Sequence, residues 1–177
     1  MCSLGKLHID LKALKVDDVH QDFQLNNDFF KALEEAEVEQ GDVKVALDIH
    51  RTTDRLFDLN FHLEGNVVVK CDRCLDDMVQ PIKTDGRLCV KLGEEYSEED
   101  DLVVVDESEG CIDLAWFVYE FIALNIPIKH VHAPGKCNRV MIDMLEKHSA
   151  TRSGDEDNEK PIDPRWSGLL KLKETKD

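Results

Sequence analysis

The sequence predicts an α+β fold: an antiparallel β-sheet with one covering helix, a short N-terminal helix and a cysteine-rich knuckle. Three observations carry that expectation. Apolar residues alternate with polar ones through Val43, Val45, Leu47 and Ile49, then Phe57, Leu59, Phe61 and Leu63, then Ile82, Leu88, Val90 and Leu92. Period-two alternation puts one face of each run in a core and the other in water, which suits an antiparallel sheet. Leu114, Phe117, Val118, Phe121 and Ile122 recur instead at helical spacing, an apolar stripe fit to cover such a sheet. Finally, Cys71 and Cys74 stand two residues apart where the second alternating run ends.

Taken in order, residues 7–16 alternate in part, with Leu7, Ile9 and Leu11 on one face, and read as a strand. Asn27 or Asp28 caps a helix carrying Phe29, Phe30, Leu33 and Ala36, which Gly41 ends. A turn over 52–55 separates the first two long runs, and the second continues past Gly65 as Val67, Val69 and Cys71. Residues 94–109 are dense in acids and hold no base, so they read as a solvated loop, with the apolar stretch 102–105 as a further strand. Asp113 opens the covering helix, Pro127 stops it, and residues 139–148 read as another short helix. Residues 149–160 are polar and charged without large apolar side chains, a flexible linker. Asp163 and Pro164 then form an N-cap with proline at the first helical position, opening a tail with Trp166, Leu169 and Leu170 on one side. The expected organisation is one domain over 1–148, a linker over 149–160 and a helical tail over 161–177.

A chain of 177 residues is long enough to bury a core without staples. Its formal charge of −16 repels nucleic acid overall, because phosphate binding depends on Lys and Arg displacing counterions. Basic protein partners or plain solubility fit that charge, and any RNA contact needs a local patch. No apolar run approaches the roughly 20 residues of a membrane helix, and residues 1–10 lack a signal-peptide pattern. The expected setting is the cytoplasm, where thiols stay reduced. Cys2, Cys71, Cys74, Cys89, Cys111 and Cys137 therefore read as apolar packing, metal ligands or redox groups rather than disulfides.

Two thiolates two residues apart can hold one zinc from a tight turn, and zinc takes four such ligands. The remaining pair has an obvious source in residues 130–137, where His130 or His132 joins Cys137 to complete a Cys₃His set. The gap between the halves is far longer than in a zinc finger, so the fold must bring them together. Two other readings compete. A redox pair normally precedes a helix in a βαβ unit, whereas this pair follows a half-buried strand. Cys71 is also in phase with the buried face, and a free cysteine packs as a small apolar residue. Cys2, Cys89 and Cys111 show no partner pattern. Nothing marks the open coordination position and general base of a catalytic zinc, nor a phosphate loop or nucleophile elbow. The chain thus reads as a binding protein without a small-molecule substrate, the alternative being a thiol-redox or metal-dependent enzyme using Cys71 and Cys74. Lys70 and Arg73 on one half, with Lys129, Lys136 and Arg139 on the other, would make a small positive patch. Such a patch serves either charge balance or RNA contact.

Together these residues resemble the YceD family, the large ribosomal RNA subunit accumulation proteins. One block is a strand running into Cys-x-Arg-Cys, here Val67 through Cys74. Another is Ile112-Asp113-Leu114 with its helix, then Leu124-Asn125-Ile126-Pro127 leading to His132 and Cys137. A third is Pro161-Ile162-Asp163-Pro164-Arg165-Trp166 with Leu169 to Leu172. The resemblance implies a role in the synthesis, processing or stability of large-subunit ribosomal RNA, with no known catalytic activity. It implies RNA, a basic ribosomal protein or an assembly factor as partner, and no membrane. It also favours His132 over His130 as the fourth ligand, through a His-x₄-Cys spacing that falls on His132 and Cys137. The second histidine and the long acidic loop depart from the family pattern. Zinc as the metal rests on the ligand chemistry.

Overall fold

Long runs of β-branched and aromatic residues alternating with polar ones build most of the structure, a computed structural model that describes residues 7–33, 36–94, 97–99 and 102–149. Cys2, the linker beyond Ser149 and the tail over 161–177 lie outside the described residues. The elements are β1 (His8–Asp10), β2 (Asp18–Leu25), α1 (Asn27–Ala32), β3 (Gln40–Thr53), β4 (Leu56–Lys70), β5 (Asp77–Gly93), β6 (Ser97–Glu99), β7 (Leu102–Asp106), β8 (Cys111–Asp113), α2 (Ala115–Asn125) and α3 (Arg139–His148). Six of the strands form one sheet in the order β2-β3-β4-β5-β7-β6, while β1 and β8 pair separately. Every ladder is antiparallel except β5 with β7. The mixed α+β class and the largely antiparallel sheet are as the sequence predicts. Contacts divide the chain into Met1–Ile142 and Asp143–Asp177, and of the second only residues 143–149 are described.

The core lies on one face of the sheet. Val43, Val45, Leu47 and Ile49 of β3, Phe57, Leu59, Phe61 and Leu63 of β4, and Ile82, Leu88, Val90 and Leu92 of β5 are all buried. Register aligns them, with Phe61 opposite Leu47 on one side and Gly86 on the other. At that point α2 comes down on the sheet. Phe121 packs against Phe61 with ring centroids 5.4 Å apart. A Cβ on Gly86 would lie 2.6 Å from the Phe121 ring, so only glycine admits the helix there. The Tyr119 hydroxyl accepts from the Glu37 amide at 2.8 Å, tying the entry to β3 to the same helix.

Several expectations need correction. The apolar stripe of α2 is rotated: Leu114, Val118 and Ile122 are buried as expected, but Ala115 and Tyr119 join them while Phe117 and Phe121 are only partly covered. A helix apolar almost all round leaves the choice of face to the sheet it meets. α1 is capped by Asn26, whose Oδ1 accepts from the amides of Asp28 and Phe29, and it stops at Ala32. Asn27 instead accepts from the Gly41 amide at 2.9 Å, where the chain enters β3. The first strand is limited to His8–Asp10, although Leu7, Ile9 and Leu11 are buried together. The strand expected over 102–105 is present as β7, which buries Val103 and Val105 and runs parallel to β5, but the acidic stretch before it is not all loop, since Ser97–Glu99 pairs back onto β7. Asp113 ends β8 one residue before the N-cap Leu114, and its Oδ1 accepts from the Ala115 amide at 2.9 Å. No helix among the described residues is long and apolar enough to cross a membrane.

Candidate metal centre

Between β4 and β5 the chain reverses through Cys71-Asp72-Arg73-Cys74. The Leu75 amide donates to the Cys71 carbonyl at 2.9 Å and the Cys71 amide to the Asp76 carbonyl at 2.9 Å. The reversal needs a left-handed residue, and Leu75 supplies it at φ 62°. That backbone costs a leucine on the order of 1 kcal/mol. The turn leaves Asp72 and Arg73 in solvent and both thiols buried.

The second half arrives from α2. After Pro127 the chain lies along the knuckle: the Asp72 amide donates to the His130 carbonyl at 3.0 Å, and the His130 amide to the Asp72 carboxylate at 2.8 Å. The His130 ring is held by its own surroundings, with Nδ1 donating to the Pro127 carbonyl at 2.9 Å and Nε2 3.5 Å from Asp72 Oδ1. His132 is turned the other way. Its Nε2 lies 3.2 Å from the Asp77 carbonyl, which can only accept, so the proton sits on Nε2. Nδ1 then presents a lone pair 3.3 Å from Cys74 Sγ. A ring nitrogen aimed by a hydrogen bond from the other nitrogen is how metal-binding imidazoles are commonly oriented.

Cys71 and Cys137 Sγ atoms are 3.9 Å apart. The donor atoms of Cys71, Cys74, His132 and Cys137 all lie within 4.8 Å of one another. A tetrahedral zinc with bonds of about 2.3 Å to sulfur needs sulfurs about 3.8 Å apart, close to the Cys71–Cys137 separation. These four lie close enough to bind one, and His130 is not among them. The electrostatics agree with a thiolate ligand. Burial opposes ionisation of Cys71, but the amides of His132, Arg73 and Cys74 and the Cys74 thiol point at its sulfur and pull it down to about 6. Burial and the neighbouring thiols push Cys137 up, while hydrogen bonds to Cys71 and Cys74 raise His132. Cys89 and Cys111 stay outside the cluster, Cys89 donating to Asp58 at 3.1 Å.

The five expected patch residues divide. Lys70 is neutralised by Asp77 at 2.5 Å, which raises its ammonium pKa. Arg73, Lys129, Lys136 and Arg139 are exposed and form no ion pair among the described residues. On the sheet the pattern is opposite: Lys44 faces Asp22, Lys83 faces Glu64, and Arg87 faces Asp58. Asp72 and Asp77, which fix the second half against the first, carry no signal in the sequence beyond their place beside the cysteines.

Fold and cluster together define a small α+β protein whose concentrated chemistry is a Cys₃His group able to hold a metal. The chain belongs to the family described as large ribosomal RNA subunit accumulation protein YceD, whose model matches residues 59–173. The match takes in most of β4, the knuckle and the whole of the second half of the site. The family's name implies a role in accumulation of the large ribosomal RNA subunit. No curated protein and no solved structure matches the chain.

Proposed function

We propose that the protein is a non-enzymatic cytoplasmic factor that supports the synthesis, processing or stability of large-subunit ribosomal RNA by binding it through the knuckle. One observation carries this reading: Arg73, Lys129, Lys136 and Arg139, four cations with no ion pair among the described residues, flank the Cys₃His cluster on a chain whose formal charge is −16. Unpaired cations are what phosphate contact needs, since each can displace a condensed counterion. Cys71, Cys74, His132 and Cys137 hold zinc in this reading. Zinc bound by four protein ligands has no open position and acts as a structural clamp joining the two chain segments that present the cations. A basic ribosomal protein as direct partner is the other outcome the acidic remainder of the surface would serve.

The test is an affinity titration of a labelled transcript of large-subunit ribosomal RNA against salt. Replacing Arg73, Lys129, Lys136 and Arg139 together with Ala should abolish measurable binding or flatten the logarithmic salt slope by about three units. Lys70→Ala should change little, since that cation is already paired with Asp77. Unchanged binding by the fourfold variant would move the contact off the knuckle.

A further inference from the structure

α3 (Arg139–His148) is amphipathic, yet none of its residues is buried. Val140, Met144 and Leu145 lie at i, i+4 and i+5 on one side and are 70%, 50% and 46% exposed. A helix of 10 residues is below the roughly 12–15 at which isolated helices become even marginal in water. Its apolar side therefore needs a cover.

We propose that the cover is this chain's own C-terminal segment, residues 163–172, packing as a short helix along the face that Met144 and Leu145 carry and Val140 continues. Four features select that occupant. Trp166, Leu169 and Leu170 recur at i, i+3 and i+4, the spacing that gives one apolar side, behind the Asp163-Pro164 start signal. The connection over 150–162 reaches at most about 47 Å when extended, while α3 is only about 15 Å long, so the chain can return along the helix with slack. The acids Asp155, Glu156, Asp157 and Glu159 all fall in that connection and leave the packing surfaces apolar. The family match runs to residue 173, one residue past Leu172, so the tail belongs to the matched unit. A tethered segment also outcompetes a free one, because its effective concentration is on the order of millimolar. The proposal stands apart from the RNA reading and does not need a metal.

Hydrogen–deuterium exchange on the full chain decides it. Amides of α3 should be protected in the wild type, and Trp166→Ala with Leu169→Ala and Leu170→Ala should make them exchange at least about tenfold faster while β3, β4 and β5 stay unchanged. That variant leaves α3 itself intact, so a loss of protection reports the missing cover. The reciprocal variant Met144→Asp should expose the amides of 163–172. Protection should not vary over a hundredfold range of protein concentration. Equal α3 exchange in wild type and tail variant, whether both fast or both slow, overturns the proposal. Protection that appears only as concentration rises overturns it in favour of a second copy of the chain.

Discussion

The β4–β5 hairpin is held by different physics along its length. Through its middle, Phe57 pairs with Val90 and Leu59 with Leu88, and with Phe61, Leu63 and Leu92 they lie buried in a core covered by α2, where stability comes from apolar area removed from water. The outward side of that stretch pairs charge with charge, with Arg87 on Asp58 and Lys83 on Glu64. At the knuckle the apolar core has ended. Two segments nearly 60 residues apart in sequence meet through backbone hydrogen bonds and four donor atoms able to share one ion. A region held by a few coordinating atoms needs no covering layer; Lys70 beside it is held by Asp77, while Arg73, Lys129, Lys136 and Arg139 form no ion pair among the described residues. Apolar burial and the cluster of donor atoms are thus separated along a single hairpin.

Breaking the buried half should have the largest effect. Leu59 is fully buried on the central strand β4, so Leu59→Ala should lower stability by about 3 kcal/mol in urea unfolding. Metal content per folded chain should not change. A loss of metal at full stability would show the two regions to be coupled rather than separate.

Asp72→Ala tests the other half. It removes the carboxylate that receives the His130 amide at 2.8 Å and so loosens the segment carrying His132 and Cys137. Metal affinity, measured by competition with a chromophoric chelator, should fall about tenfold, as for other groups that support ligands from outside the coordination sphere. Urea unfolding of the metal-free protein should stay within about 0.5 kcal/mol of wild type, the usual range for an exposed site.

The smallest effect belongs to the outward face of the sheet. A hydrogen bond donated to Asp48 raises the His20 pKa above its ordinary 6.5, and one donated to Asp18 raises that of His50. Because the folded values are raised, the stabilisation is complete below about pH 6.5 and is lost as pH rises through the folded pKa. NMR titration should place both midpoints above 6.5, and Asp48→Asn should lower that of His20 and leave His50 in place. Two unshifted midpoints would mean that these pairs do not form in solution.

Much of the core was legible because period-two alternation survives in β3, β4 and β5. β2 was not, since Gln21 stands at an inward position of its alternation and, as an edge strand, it only half-buries Val19 and Phe23. β6 leaves no apolar trace at all: Ser97–Glu99 is acidic and joins the sheet through its backbone. At the site, thiol and imidazole spacing brought the candidate donors into view, and the resemblance favoured His132. What separates His132 from His130 physically is the Asp72–His130 backbone pairing, which exists only once the two segments meet. The division of the cations was equally hidden, because Asp77 captures Lys70 across the hairpin and no acid among the described residues does the same for Arg73.

Native mass spectrometry of protein purified without chelators reads the metal centre itself. One zinc ion per wild-type chain is expected, and none in Cys137→Ser, with the far-UV spectrum of the sheet retained in that variant. Wild-type protein that is metal-free with intact thiols, or a Cys137→Ser chain that keeps its zinc, would contradict that expectation.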